Sequence, residues 1–284
     1  MPLLIHSVRH STFYKFKIMA KINLDKYYTP SDLAGYCVNK TKEIIGVENI
    51  TEWLEPSAGA GVFLPYLDNN YLAFDIEPEA GDIEQKNYLE LDLPYFKGRC
   101  VIGNPPYGKG NYTSVQFFKK AIMQGDYVAF ILPISQLNNN MYMYEFDLVY
   151  SEDLGKRKYS DKNVHCVLNI YKRNPNGLNS KPNYDLKCID LRGVSVGQSR
   201  NDKVPEFYDF SISQFGASIG KICHKEGQYC QQMYITIHDK QNKELIEKTI
   251  LSADWQKLYN MTATPTLKHW HVYKYLKEQI PNLN

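Results

Sequence analysis

The chain has 284 residues, of which 43% are hydrophobic and 23% charged, which is ordinary for a soluble globular protein with room for a main domain and a smaller one. No apolar run reaches the ~18 residues of a membrane span, so no membrane-spanning helix is expected. The net charge is only +2, but residues 1 to 150 carry 13 Lys and Arg against 17 Asp and Glu, whereas residues 151 to 284 carry 20 against 14. The acidic part suits a small cationic ligand, and the basic part suits a polyanion.

The cysteines indicate a reducing compartment. There are six, without the spacing of a disulfide framework, and Cys100 and Cys166 lie in apolar runs. The cysteine and histidine residues between 223 and 238 match no common zinc pattern, so we predict no metal. The N-terminus lacks the apolar core of a signal peptide. We therefore expect a cytoplasmic protein that makes no contact with a membrane, with residues 1 to 25 forming an N-terminal arm.

Helices and strands alternate through the first part of the chain, which predicts a mostly parallel sheet covered on both faces. In chain order the predicted elements are a helix from Asp32 to about Ile45 capped by Ser31, a strand from Thr51 to Leu54, a helix from Gly61 to about Leu67, strands from Tyr71 to Asp75 and from Arg99 to Gly103, a helix from Ser114 to Met123, and strands from Tyr127 to Leu132 and from Val164 to Tyr171. These elements define an α/β domain over residues 26 to 177.

The sequence changes character after Arg173. A turn cluster at residues 174 to 177 precedes short alternating segments and two basic helical stretches. The predicted segments are strands at Leu186 to Leu191 and Met233 to Ile237 and helices at about Lys243 to Leu251 and Lys268 to Ile280. Residues 178 to 284 are therefore predicted to form a small C-terminal α+β region.

A glycine turn links the first two predicted strands. Residues 53 to 63 read as a strand end, a glycine turn and a helix start, and residues 71 to 75 as a strand that ends in a carboxylate. This order is typical of a nucleotide-binding half. The third glycine of the dinucleotide fingerprint is absent, and Glu55 places a negative charge where a pyrophosphate would sit. The pattern favours a cationic ligand that carries adenosine.

The tetrapeptide Asn104–Tyr107, Asn-Pro-Pro-Tyr, follows the buried strand that ends at Gly103. It offers an amide oxygen, carbonyl groups on two rigid prolines and an aromatic face. Two prolines stop the strand and stiffen the loop, because they cannot donate to a β-ladder and their φ is fixed. Such a loop can accept hydrogen bonds from a planar exocyclic amine and stack on its ring.

These segments, together with Tyr28-Thr29-Pro30-Ser31, resemble the cofactor and catalytic motifs of DNA adenine-N6 methyltransferases. Their order along the chain is that of the gamma class, and the resemblance covers about residues 26 to 173. It implies a Rossmann-like class I methyltransferase fold that binds S-adenosyl-L-methionine. It also implies double-stranded DNA as substrate, base flipping, and target recognition by residues 178 to 284. A restriction endonuclease or a specificity subunit would be an expected partner, as in restriction-modification.

The resemblance also implies which residues hold the cofactor. Glu55 would balance its ammonium group, Asp75 would accept the ribose hydroxyls, and Ile76 would pack on its adenine. The adenine amine would bind either Asn87 or Asp92, and the sequence does not separate the two. The remaining cofactor residues are Thr29, Pro30, Ser57, Ala58, Gly59 and Gly61.

The same resemblance assigns the chemistry. Asn104 and Pro105 would accept the two N–H bonds of the target amine, Pro106 would stiffen the loop, and Tyr107 would stack on the flipped base. In this family a second aromatic residue lies a few residues before the strand that corresponds to the one starting at Val164 here. Counting back from Val164 gives Tyr159, which stands among four cationic residues. Tyr159, Lys158 and Lys162 are therefore predicted to bind the substrate.

Two other functions stay open. The same tetrapeptide occurs in methyltransferases that act on RNA adenine or on protein glutamine. The segment Glu-Pro-Ser-Ala at residues 55 to 58, which precedes the glycine turn, favours DNA. A non-catalytic nucleic-acid-binding module with the same fold is the alternative from another class.

Overall fold

The computed structural model describes residues 28–159, 162–195, 204–261 and 265–283, and of Lys162 only the backbone. The predicted N-terminal arm, residues 1 to 25, lies outside the described residues, as does the side chain of Lys162. The helices are α1 (Ser31–Ile45), α2 (Tyr112–Gln124), α3 (Lys243–Ser252), α4 (Trp255–Leu258) and α5 (His269–Gln279). The strands are β1 (Glu52–Glu55), β2 (Tyr71–Asp75), β3 (Glu84–Gln85), β4 (Arg99–Gly103), β5 (Tyr127–Pro133), β6 (Asp147–Tyr159), β7 (Lys162–Lys172), β8 (Ile189–Ser195), β9 (Phe210–Ser213) and β10 (Gln231–Ile237).

A seven-stranded sheet in the order β3-β2-β1-β4-β5-β7-β6 forms the main domain. Strands β1 to β5 pair in parallel, whereas β7 runs antiparallel to both β5 and β6. The sheet is therefore Rossmann-like and mostly parallel, as the alternation of elements predicts. The expected C-terminal α+β region is also present, with a three-stranded antiparallel sheet in the order β8-β10-β9.

Helix α1 covers one face of the main sheet and α2 covers the other. The buried side of α1 includes Leu33, Cys37 and Val38, which pack in one core cluster with strand residues such as Ile102 and Ile131. Helix α2 brings its own apolar side to a second cluster on the opposite face. The strands between them are buried on both faces, which explains the continuous apolar runs in the sequence.

The start of α1 differs from the prediction. Ser31 was expected to cap the helix, but it is the first helical residue, and Pro30 occupies the cap position without a side-chain hydrogen bond. The Ser31 hydroxyl instead lies 2.9 Å from the Tyr66 hydroxyl. Proline is tolerated at this position because the N–H of a cap residue has no partner within the helix.

Two further elements differ from the prediction. The helix expected at residues 61 to 67 is a single 3₁₀ turn, Leu64–Tyr66, because a longer helix would need the N–H of residue 65 to bond to the Gly61 carbonyl and Pro65 has none. Strand β6 was not predicted at all. Its side chains are mostly polar, and irregularities between Leu148 and Tyr150 and between Asp153 and Gly155 disrupt the two-residue alternation on which strand prediction depends.

Arg99 joins β4 to β1 below the strand ends that form the site. Its side chain is 3% exposed, its Nε donates to the Glu52 carboxylate, and its Nη1 donates to the carbonyl oxygens of Pro94 at 2.7 Å and Gln124 at 3.0 Å. A buried ion pair of this kind changes the stability of the fold little while both partners are present. Removal of one partner leaves an unpaired charge in the interior, which is strongly destabilising.

We therefore expect Arg99→Met to lower the free energy of unfolding by roughly 3–5 kcal/mol. Urea denaturation measures this change. The double variant Arg99→Met, Glu52→Gln should be destabilised by clearly less than the sum of the single variants, because the two residues interact directly. If the two single effects on the free energy of unfolding simply add, Arg99 and Glu52 have no interaction energy.

Candidate active site

The site lies at the carboxyl edge of the parallel strands. β1 ends at Glu55, β2 ends at Asp75, and Asn104 follows the end of β4. Because these strands are hydrogen-bonded neighbours, their ends meet at one edge, where ligands bind in sheets of this kind. A Cβ on Gly103 would stand 3.6 Å from Glu55 Cγ, so the ends of β1 and β4 are in close contact.

Glu55 carries a buried carboxyl group at the end of β1. The residue is 1% exposed, and its Oε2 has no hydrogen-bond partner among the described residues. Burial, and secondly the charge of Asp75, raises the pKa of Glu55 well above its ordinary value. The Ser57 hydroxyl on the adjacent turn is likewise buried and unpaired within the described chain. Unpaired buried polar atoms are costly, which suggests that a ligand pairs them.

Asp75 holds the glycine turn in place. Its Oδ2 accepts from the Gly59 N–H at 2.7 Å, and its Oδ1 accepts from the Glu77 N–H at 2.8 Å. Gly59 has φ +52° and Gly61 has φ +74°, which glycine adopts without strain. The turn therefore presents bare backbone to the site. The ribose contact expected of Asp75 stays a prediction, and a carboxylate with two such bonds retains lone pairs for it.

Asn104 is tied to Thr29 across the site. Its Nδ2 donates to Thr29 Oγ1 at 3.1 Å, and Thr29 is 5% exposed. Thr29 is predicted to hold the cofactor, which stays a prediction, and the structure places its hydroxyl against the Asn104 amide. Pro30 is partly buried beside it, and Pro105 is buried in the loop.

The loop after Asn104 closes onto the start of α2. Thr113 N–H donates to the Tyr107 carbonyl at 3.1 Å, and the Ser114 hydroxyl donates to the Pro106 carbonyl at 3.1 Å. Sequence reasoning missed Asn111, which lies in this loop with φ 66° and a buried amide that has no partner within the described residues. The only sequence signal was its position after Gly108 and Gly110, where positive φ is easily adopted.

Tyr107 and Tyr159 meet at Cys166. The Tyr107 hydroxyl lies 3.3 Å from Cys166 Sγ, and Tyr159 packs in the same core cluster with 1% exposure. Burial raises the pKa of the Cys166 thiol, and the two tyrosine hydroxyls act in the opposite direction. Tyr159 is thus the last residue of β6, not part of an exposed loop, and its ring is closed to solvent. The structure brings the two predicted aromatic residues together, and their stacking on a base stays a prediction.

The basic residues next to Tyr159 lie on the hairpin formed by β6 and β7. Lys156, Arg157 and Lys158 are exposed near its tip, and Arg157 pairs with Asp32 at 3.4 Å. The paired part of the hairpin continues past Cys166, which pairs with Pro133 at the end of β5, as far as Tyr159 and Lys162, so it extends beyond the carboxyl edge of the sheet. The positive charge lies on the same side as Asn104 and Tyr107.

The candidates for the cofactor's adenine lie on the other side of the glycine turn. Ile76 is 37% exposed after β2. Asn87 Oδ1 accepts from the Leu89 N–H at 3.2 Å and caps a 3₁₀ turn, whereas Asp92 is exposed. The capping bond favours Asp92 for the adenine amine, and the choice between them stays a prediction.

A cavity of about 570 Å³ is lined by other parts of the chain. It is formed by residues 141 to 142, residues 181 to 185, Gln214 and the start of α5 at residues 268 to 270. Its walls include Lys181, Lys268 and Trp270, but none of the residues at the strand ends. Burial lowers the pKa of His269 in this wall, so cationic character there depends on the lysines.

No group of three or more His, Cys, Asp or Glu side chains among the described residues could hold a metal ion. Within the same residues, no helix has the length and apolar character needed to cross a membrane.

No protein-family model matches this sequence, and no curated protein matches it. Solved structures resemble the main domain. A Pyrococcus horikoshii protein provisionally described as an RNA methyltransferase is 15% identical with a TM-score of 0.44, over 54% of this chain and 89% of that chain. The methyltransferase subunit of a type I restriction-modification system from Streptococcus thermophilus is 13% identical with a TM-score of 0.39, over 57% of this chain and 48% of that chain.

A third structure is magnesium protoporphyrin IX methyltransferase from Synechocystis with bound S-adenosylmethionine, which is 12% identical with a TM-score of 0.37, over 58% of this chain and 92% of that chain. The seven-stranded sheet has the class I methyltransferase fold. That assignment depends on the strand order with β7 antiparallel, since the three TM-scores are below 0.5. This fold is the one used by S-adenosylmethionine-dependent methyltransferases.

Proposed function

We propose that this protein transfers a methyl group from S-adenosylmethionine to the N6 amine of adenine in double-stranded DNA. One observation carries the proposal: the amide of Asn104, fixed by Thr29, stands at the strand end beside the buried carboxyl of Glu55, whose Oε2 has no hydrogen-bond partner among the described residues. An acceptor for an amine and an acceptor for a cationic ligand therefore occupy adjacent strand ends.

The residues of the site fit S-adenosylmethionine. Glu55 Oε2 and Ser57 Oγ are buried polar atoms that need partners, which the ammonium and carboxylate groups of a methionine moiety would supply. The glycine turn allows the ligand to approach the backbone closely. When bound, this cofactor supplies an electrophilic methyl group on a positively charged sulfur.

The role of the catalytic loop follows from the chemistry of the adenine amine. Its nitrogen lone pair is delocalised into the ring, which makes the amine a poor nucleophile. Asn104 Oδ1 and the Pro105 carbonyl would accept its two N–H bonds, localise the lone pair and stabilise the positive charge that develops on nitrogen. The nitrogen would then bond to the methyl carbon supplied by the bound cofactor, while the carbon–sulfur bond would break and leave its electron pair on sulfur. The amine finally loses one proton to water.

Nucleic acid is favoured as the substrate by the charge around the site. Lys156, Arg157 and Lys158 are exposed on the hairpin that flanks Tyr107. A polyanion gains affinity from such groups, whereas a protein glutamine would not. A flipped base would stack on Tyr107, with Tyr159 next to it. Residues 178 to 284 would recognise the target, and a restriction endonuclease or specificity subunit would be a partner.

The proposal is tested with purified protein and S-adenosylmethionine labelled on the methyl group. Double-stranded DNA, RNA of the same sequence and a glutamine-containing peptide are supplied in parallel. We expect label in DNA, as N6-methyladenine after digestion to nucleosides. Transfer to RNA or peptide alone would overturn the choice of DNA, and binding of DNA without transfer to any substrate would favour the non-catalytic module.

A further inference from the structure

The hydrogen bond between Asn104 and Thr29 affects the orientation of the Asn104 side-chain amide. A primary amide has a donor end and an acceptor end of nearly equal shape, and rotation by 180° exchanges them. Only one orientation would present Oδ1 to a target amine. In the other orientation the NH₂ group would face the N–H bonds of the target, and two donors repel each other.

We propose that Thr29 is a positioning residue that fixes the orientation of the Asn104 amide. The Thr29 hydroxyl oxygen accepts from Asn104 Nδ2 at 3.1 Å, so the NH₂ end is directed toward Thr29 and the oxygen end away from it. This inference rests on the proposed methyl transfer, since orientation matters only if Oδ1 accepts from the target. It gives the hydroxyl of the Thr-Pro pair a task in catalysis, distinct from the cofactor contact expected from sequence.

The position of Thr29 suits this task because the residue is rigidly held. It is 5% exposed and precedes Pro30, which restricts its backbone to extended conformations. Helix α1 begins at the next residue, with the Ala34 N–H bonded to the Pro30 carbonyl at 3.0 Å. Leu33 and Ala34 are fully buried against the sheet, so the hydroxyl is fixed relative to the strand that carries Asn104.

Two substitutions separate orientation from packing. Thr29→Val keeps the shape of the side chain and removes the hydroxyl, whereas Thr29→Ser keeps the hydroxyl and removes a methyl group. We expect kcat to fall roughly tenfold in Thr29→Val, as expected for loss of one neutral hydrogen bond that acts through the transition state. Affinity for S-adenosylmethionine, measured by titration calorimetry, should stay within about twofold. Thr29→Ser should keep most of the activity.

A spectroscopic readout makes the test independent of turnover. The side-chain NH₂ signals of Asn104, assigned from their loss in Asn104→Ala, should show exchange broadening in Thr29→Val but not in Thr29→Ser. The double variant Thr29→Val, Asn104→Ala should be no slower than Asn104→Ala alone, because Thr29 is proposed to act only through Asn104.

Three results would overturn the inference. Unchanged kcat in Thr29→Val is the first. The second is a large loss of affinity for S-adenosylmethionine with kcat retained, which would assign Thr29 to the cofactor. The third is unchanged Asn104 NH₂ signals in the valine variant. Absence of methyl transfer in the unsubstituted protein would instead contradict the proposed function.

Discussion

Asn104→Ala is expected to reduce methyl transfer by roughly 10²–10³-fold, the loss seen when one prealigned hydrogen-bonding group is removed from a charge-stabilising site. The reason is that the Pro105 carbonyl alone would accept one N–H of the target amine and leave the other unpaired. The lone pair would stay delocalised in the ring. Single-turnover rates with labelled cofactor and double-stranded DNA measure the effect.

The same variant should bind S-adenosylmethionine almost as well as the unsubstituted protein, because the proposed cofactor contacts lie on Glu55, Ser57 and the glycine turn. Asn176→Ala is a matched control, since Asn176 is exposed in the turn after β7 and should be neutral in both assays. A loss of cofactor affinity above about tenfold in Asn104→Ala, or turnover close to normal, would contradict the role assigned to Asn104.

Glu55→Gln is expected to weaken binding of S-adenosylmethionine by roughly 30-fold, the value of about 2 kcal/mol for a hydrogen bond to a charged partner. The substitution keeps the shape of the side chain and removes its charge. Glu48→Gln is the control, because Glu48 is exposed near the opposite end of β1. Equal affinity of Glu55→Gln and the unsubstituted protein would remove Glu55 from the cofactor site.

Binding should also depend on pH through Glu55. Burial raises the pKa of Glu55 in the free protein, and a cationic ligand favours the ionised form, so binding should release protons. Affinity should therefore fall as the pH falls through this raised pKa, and it should be independent of Glu55 above it. Calorimetry in two buffers of different ionisation enthalpy measures the proton release, which should be smaller in Glu55→Gln.

The same pKa shift predicts an effect on stability without ligand. A carboxyl group whose pKa is higher in the folded state than in the unfolded state stabilises the fold below the unfolded value, and this contribution is lost as the pH rises through the folded value. The Glu55→Gln variant has no titratable group at this position. Its stability relative to the unsubstituted protein should therefore increase with pH across that range, as urea denaturation can measure. Such a gain in stability with a loss of binding is typical of functional residues.

Parts of the fold follow from local sequence patterns. The predicted bounds of β2 and β4 agree with the structure, because a short apolar run between polar residues has few alternatives to a buried strand. The 3₁₀ turn at Leu64–Tyr66 and the polar strand β6 were not predicted correctly, since Pro65 and the two irregularities in β6 break the periodic patterns.

The sequence by itself determined the Rossmann-like class, the glycine turn and the Asn-Pro-Pro-Tyr loop after β4, because turns and strands depend mainly on residues that are neighbours in the chain. Only the tertiary structure decided that the Thr29 hydroxyl meets Asn104, 75 positions away in sequence, and that Tyr107 and Tyr159 meet at Cys166. These contacts arise where α1, β4, β6 and β7 pack together. Their geometry depends on the register of paired strands, which the pattern of any one segment does not specify.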